Sequence, residues 1–442
     1  DLAGAHHRFT KSAGPGRAHL RLIALSDLHM QIMPHDYTAD RPVHGRSLAL
    51  AAAEARAATA EAANAALFDV GDACEGSPLD AALAAEREGP HPMSAALAAA
   101  GVAAATLGNH DFDNGLPAAE RILRTSAVPL ALCNLSHRLG ETPLLDETFA
   151  PPFQLIERAL LCGDGERRPL RIGVTGILPP QTLAWNADTL EGRVVVRDSV
   201  EAVAAWLPAI RAAGADLVVV LAHSGIGRSR AHPSMEHAAV PLAALDGVDV
   251  VLAGHAHRLF PHPSFVAEAD EAVETVDPVR GRLHGKPAVM PGSWGQALGL
   301  VDLLLAHDGA AWRIAESESA LRPIRAETPD PQVAAAAGAY HRRTLQDIRR
   351  PVAQAAQPFH TYFALLADSP ALRLVNDAQL AAVRTALPDV AAEEGTVPLL
   401  SAAAPLRTGG LHGPENYTDV PAGTLLRRHV IDLQIYENRL QL

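Results

Sequence analysis

Seven residues of metal-binding type stand directly after short apolar runs in the first half of this chain. Leu20 to Leu25 runs into Asp27 and His29, Leu67 to Val70 into Asp72, and Val102 to Leu107 into Asn109. Leu217 to Ala222 runs into His223, and Val248 to Ala253 into His255 and His257. Carboxylate, imidazole and amide oxygen together form a mixed oxygen and nitrogen donor set that accepts Mn, Zn, Fe or Co. Seven donors are too many for one tetrahedral zinc. They suit two divalent ions that share one carboxylate, and Asp72 can bridge because it carries two oxygens. The chemistry such a pair performs is metal-assisted hydrolysis.

The spacing within each block supports this. Asp27 and His29 are two apart, as are His255 and His257, and on an extended strand end such pairs point the same way. Gly71-Asp72-Ala73-Cys74-Glu75-Gly76 flanks its carboxylate with glycines, which let backbone approach a ligand closely. In Gly108-Asn109-His110-Asp111-Phe112-Asp113, the imidazole of His110 need not bind metal. Asp113, three residues on, can steady it as an acid-base group. Each block alone also reads as an ordinary turn or helix cap, and a lone strand-end histidine such as His223 is usually structural. The case rests on the blocks together. His6, His7, His35 and His91 fit none of them and read as solvated surface.

Five strand ends at one site require a layered α/β domain, because open α/β sheets bind ligands beyond the carboxyl ends of their strands. Helices are predicted between the strands at Ser47 to Ala66, Pro92 to Ala100, Leu116 to Thr125, Ser199 to Ala213 and Ser234 to Leu245. Asp198 is placed to cap the fourth of these, with Glu201 as in a capping box. Further strands are predicted at Leu170 to Val174, Ala288 to Met290 and Leu298 to Leu305, and a long loop at Phe260 to Pro287. Gln332 to Arg350 reads as a helix stopped by Pro351. Beyond it, Tyr362 to Arg384 reads as helix, and Val397 to Leu400 and Val430 to Tyr436 as strands. The boundaries are residues 1–19 as a flexible lead-in, 20–327 as the catalytic domain, 328–350 as a linker helix and 351–442 as the start of a second domain.

With 442 residues the chain has room for two domains. A net charge of −13 argues against a nucleic-acid polymer or an anionic membrane as partner. Small phosphate esters stay open, because bound metal inverts the local field. Cys74, Cys133 and Cys162 fit neither a disulfide framework nor a zinc-finger spacing. No apolar run approaches the ~20 residues that span a bilayer. The composition leaves the oligomeric state unassigned.

The order Asp-x-His, Gly-Asp, Gly-Asn-His-Asp, strand-terminal His and Gly-His-x-His resembles the calcineurin-like metallophosphoesterases. Gly108 to Asp113 resembles their 5'-nucleotidase branch. Gly76-Ser77-Pro78-Leu79, Ala222-His223-Ser224-Gly225, Met290-Pro291-Gly292-Ser293-Trp294-Gly295, Ser401-Ala402-Ala403-Ala404-Pro405, Asn416-Tyr417-Thr418-Asp419-Val420 and Asp432-Leu433-Gln434-Ile435-Tyr436 are similar to bacterial 2',3'-cyclic-nucleotide 2'-phosphodiesterase/3'-nucleotidases. The resemblance implies a layered metallophosphoesterase fold, a β-sandwich flanked by helices, followed by a second, incomplete α/β nucleotidase C-terminal domain.

It also implies that one ion takes Asp27, His29, Asp72 and His257, and the other Asp72, Asn109, His223 and His255. His110 with Asp113 is then the catalytic dyad. In the second domain Arg407 faces phosphate or sugar, Tyr436 stacks on the base and Asn438 lies beside it, although Tyr436 equally reads as a buried strand aromatic. The implied reaction takes 2',3'-cyclic nucleotide to 3'-nucleotide and on to nucleoside, in the periplasm or outside the cell. Asp113, where the bifunctional cyclic-nucleotide relatives often carry Asn, leans towards the broader nucleotidase pattern. The chain ends at Leu442, about halfway through the second domain as the family has it, before the second base-stacking aromatic. A reading from another class is a nucleotide-binding protein that has lost catalysis, but no ligand position is missing.

Overall fold

The computed structural model describes residues 14–81, 89–263, 265, 275–388, 398–404, 406–409 and 416–435. It divides into two compact units, residues 1–35 with 42–341, and residues 36–41 with 342–442. The division falls within one helix, Pro331–Ile348, which the sequence assigned to the linker.

Two large sheets form the core of the first unit, beside a small three-stranded one. One has the order Trp312–Pro323, Ala297–His307, Arg17–Leu25, Ala65–Asp69, Val102–Ala105. Arg17–Leu25 pairs parallel with Ala65–Asp69, which pairs parallel with Val102–Ala105. The central part of the other sheet runs Lys286–Pro291, Val250–Ala253, Leu217–Ala222, Arg167–Ile177, with Phe153–Leu161 antiparallel at its end. Leu20, Leu22, Phe68 and Val301 from the first sheet close one apolar cluster with Ile172, Val219 and Leu252 from the second. Val218, Val220 and Val251 point the other way and pack with Ala202, Val203 and Ile210 of the helix Ser199–Ala212 and Val240 of Ala239–Ala244. Leu217–Ala222 is buried on both faces, which is why it reads as an unbroken apolar run and not as an alternation. Asp198 caps its helix as expected, its carboxylate accepting from the Val200 and Glu201 amides at 3.0 Å.

Several expectations are corrected. Phe153–Leu161 is a strand the sequence reading missed. The helix predicted from Ser234 is shorter, Ala239–Ala244, because the preceding residues form a loop tied to Ser224. Pro351 ends its helix as predicted but also opens a strand, Pro351–Ala355. The helix predicted from Tyr362 begins at Pro370, where the proline supplies a first-turn φ. Residues 398–400 are not strand, and Val397 lies outside the described residues. Arg427–Leu433 is helix where a strand was predicted from Val430, with His429 and Asp432, three residues apart, buried and Val430 exposed. None of the three cysteines forms a disulfide, and all three are buried. No helix among the described residues is long and apolar enough to cross a membrane.

His91 is not solvated surface. It is buried and caps the helix Pro92–Ala100, its Nδ1 accepting from the Met93 amide at 3.3 Å. Burial, helped by the Arg121 charge, pushes its pKa down to about 4. A histidine kept neutral in the fold stabilises fully above its unfolded pKa of ~6.5. That stability is lost as pH falls from about 6.5 towards 4, by at most ~1.4 kcal/mol per pH unit. Urea unfolding at pH 7 and pH 5 should therefore show a larger loss for wild type than for His91→Asn, which caps without titrating. Equal losses would contradict this reading. His6 and His7 lie outside the described residues, and His35 is half-buried against the His341 ring.

Candidate metal centre

The loops that leave the first two parallel strands continue side by side. The Asp27 amide donates to the Gly71 carbonyl, His29 to Asp72 and Met30 to Ala73, each at 2.9 Å. Asp27 and His29 thus sit beyond the strand end. They do not reach one side through extended geometry, as the spacing argument supposed. Asp27, His29, Asp72, His255 and His257 all have positive φ, between 45° and 67°. Each of these non-glycine residues occupies a sparsely populated region that persists only where its surroundings hold it.

Those surroundings are visible. The His255 amide donates to both Asp27 oxygens at 3.1 Å. Ser26 Oγ also hydrogen-bonds the Asp27 carboxylate. Asp111, unassigned in the sequence reading, accepts from the amides of Asp72 (3.0 Å), Cys74 (2.8 Å) and Gly108 (2.8 Å) and so ties two loops together. The His110 amide donates to Asp72 Oδ1 at 2.8 Å.

Two donor groups result. Asp27, His29 and His257 have ligand atoms within 4.8 Å of one another, and so do Asp72, His223 and His255. Asn109 joins the second, its Oδ1 lying 3.3 Å from His223 Nε2. The charge of Asp72 also acts on His29, across the two groups.

The residues fit divalent cations on four counts. His29 Nε2 and His257 Nε2 face each other at 2.9 Å, and His257 Nε2 lies 3.3 Å from Asp27 Oδ1. His223 Nδ1 is 2.9 Å from the Val70 carbonyl, which takes a proton there and directs Nε2 at Asp72 Oδ2, 2.9 Å away. Asp72 Oδ2 is buried yet makes no hydrogen bond, since that approach is an ion-pair contact without hydrogen-bond direction. Finally, the space is kept by glycine: a Cβ on Gly108 would come within 2.2 Å of Asp72 Oδ1 and 2.5 Å of His223 Nε2.

The charges agree. Burial pushes the His29 pKa down to about 4, which leaves it neutral, as a ligand must be. Burial opposes charge on His223 and Asp72 as well, but each outweighs it for the other. Asp72 stays well below the usual carboxylate range and His223 is pushed up to about 10. A proton on His223 thus does for Asp72 what a cation does in a loaded site.

His110 stands apart from both groups. Its Nδ1 pairs with Asp113 Oδ2 at 2.7 Å, its ring lies 5.3 Å from that of His29, and it is 43% exposed. Two residues missed in the sequence face His255: Glu236 Oε1 is 2.9 Å from its Nε2, and Trp185 stacks on its ring. Neither follows an apolar run, so strand-end reasoning had no signal for them.

In the second unit, Arg407 forms an ion pair with Asp432 and donates to Thr38 Oγ1 at 3.1 Å. Tyr436 and Asn438 lie outside the described residues.

Residues 20–259 match the Calcineurin-like phosphoesterase family. This chain belongs to that family. A 2',3'-cyclic-nucleotide 2'-phosphodiesterase/3'-nucleotidase of Salmonella typhimurium is 34% identical over 435 residues, which cover 95% of this chain and 65% of the relative. The chain thus spans just under two thirds of that protein. The crystal structure of the calcineurin-like phosphoesterase YfkN from Bacillus subtilis is 30% identical, with a TM-score of 0.68 over 75% of this chain and 98% of that one. A putative 5'-nucleotidase from Staphylococcus aureus, 18% identical, shares the fold over 94% of this chain and 72% of its own, with a TM-score of 0.65. The layered α/β calcineurin-like fold followed by a second, nucleotidase-type unit accords with the sequence reading.

Proposed function

We propose that this calcineurin-like phosphoesterase hydrolyses phosphate esters of nucleotides, opening 2',3'-cyclic nucleotides to 3'-nucleotides and releasing phosphate from the latter. The observation that carries the reading is the convergence of two donor groups beside a histidine that belongs to neither. One ion would be held by Asp27, His29, Asp72 and His257, and the other by Asp72, Asn109, His223 and His255. Two divalent ions so held supply Lewis-acid polarisation of a phosphoryl oxygen and a water nucleophile at neutral pH.

The chain's own residues do the rest. Asp27 carries the His255 backbone, so the two groups keep a fixed spacing. Burial opposes a proton on His110, but its hydrogen bond to Asp113, with the Asp72 charge, pushes its pKa up to about 9. In the metal-free protein it is therefore an imidazolium at neutral pH, and in a loaded site Asp113 is the partner that would keep the proton there. With Nδ1 committed to Asp113, the Nε2–H is the proton it can give to a phosphoryl oxygen or a departing alkoxide. Where a cyclic 2',3'-phosphate is the substrate, that proton goes to the 2' oxygen as the P–O bond breaks.

Residues 20–327 form the catalytic domain and 351–442 part of a nucleoside-binding domain in this reading, with Arg407, Tyr436 and Asn438 as its contacts. Arg407, whose charge Asp432 already holds, acts on the nucleoside through hydrogen bonds rather than as a free cation. The ions are Mn, Zn, Fe or Co, and the location is periplasmic or extracellular, as the relatives' resemblance implies. A panel of 2',3'-cyclic AMP, 3'-AMP and 5'-AMP with the metal-loaded chain tests the assignment. Turnover of the first two above 5'-AMP is expected. Preference for 5'-AMP would make the protein a 5'-nucleotidase, the direction in which Asp113 leans, and no turnover would favour a binding protein.

A further inference from the structure

We propose that Glu236 is a positioning residue for the second ion: it accepts a hydrogen bond from the Nε2–H of His255 and so leaves the Nδ1 lone pair as the one offered to metal. This rests on the two-ion reading above. A carboxylate only accepts hydrogen bonds, so the 2.9 Å contact between Glu236 Oε1 and His255 Nε2 puts the proton on Nε2. In a neutral imidazole the other nitrogen is then the donor atom. Ligating histidines commonly hand their second N–H to a carboxylate in this way, which fixes both tautomer and ring orientation.

His255 is held from three directions. Its amide is fixed by Asp27, its Nε2 by Glu236, and its face by Trp185, with ring centroids 5.6 Å apart and planes at 25°. Glu236 is itself anchored to the strand end that carries a ligand. Ser224, next to His223, donates from Oγ to the Glu236 carbonyl at 2.6 Å and accepts from the Ala238 amide at 2.7 Å. Met235, one residue before Glu236, is buried. The loop after Leu217–Ala222 therefore delivers both His223 and the carboxylate that orients His255. Glu236, His237 and His255 also have donor atoms within 4.8 Å of one another, so the competing use of Glu236 is as a direct ligand of an additional ion.

The test is zinc titration of the chelator-stripped full chain. Wild type is expected to bind two ions. Glu236→Ala should weaken one of them by about 10–100-fold, the usual cost of losing such a partner, and leave the other unchanged. Glu236→Gln, whose amide oxygen still accepts from Nε2–H, should recover most of that loss. A long-range ¹H–¹⁵N spectrum of histidine-labelled, zinc-loaded wild type should show the His255 proton on Nε2 and needs no variant. Unchanged zinc binding in Glu236→Ala, no recovery in Glu236→Gln, a proton on Nδ1, or a third ion lost alone in Glu236→Ala would each overturn the proposal. A wild type that takes up no zinc would instead remove the two-ion reading beneath it.

Discussion

Asp72→Asn is expected to reduce bound metal from two ions per chain to at most one and to lower hydrolysis by more than about 10⁴-fold, beyond the range for losing one acid-base group. An amide offers one neutral oxygen where the carboxylate offers two charged ones, so it cannot serve both donor groups. The local fold should survive the change. Asn Oδ1 can still accept from the His110 amide, and the backbone amide of residue 72 still donates to Asp111. Loss of metal in a variant that still folds is therefore the expected pattern, read by elemental analysis after gel filtration, with a lower unfolding transition because the buried His223 loses its charged partner. A variant that retains two ions would refute Asp72 as the shared ligand.

His110→Ala should show the opposite pattern, with kcat down by about 10²–10⁴ and metal content unchanged. The side chain of His110 belongs to neither donor group; only its amide touches Asp72, and alanine keeps that amide. What disappears is a protonated ring held by Asp113 beside the site. Single-turnover rates alongside metal analysis check both halves. Wild-type turnover would remove His110 from the chemistry, and a parallel loss of metal would make it a ligand or a structural group.

Metal-binding residue types placed after apolar runs were legible because buried parallel strands leave little choice of composition, and their ends are where polar groups first appear. The layered α/β domain followed from the same runs, whereas the sandwich came only with the family resemblance. The local geometry was not legible. Alternation along an extended strand led to the pairing of Asp27 with His29 and His255 with His257, whereas the chain turns into the left-handed region at all four. Backbone hydrogen bonds between distant loops hold that turn, and spacing does not encode them. Asp111 and Glu236 escaped for a related reason: their work is on amides and imidazoles contributed by other segments. His91 escaped because a buried histidine cap has the same composition as a solvated one. In the second unit, short apolar runs such as that at Val430 fit helix and strand equally, and the segment is helix.

The proposed hydrolytic two-ion centre is tested by release of p-nitrophenol from bis-p-nitrophenyl phosphate by the chelator-stripped chain, reloaded stepwise with manganese, cobalt or zinc. No release is expected from the stripped protein, and the rate should rise with loading and level off at two ions per chain. Two bound ions without release, for all three metals, would contradict it.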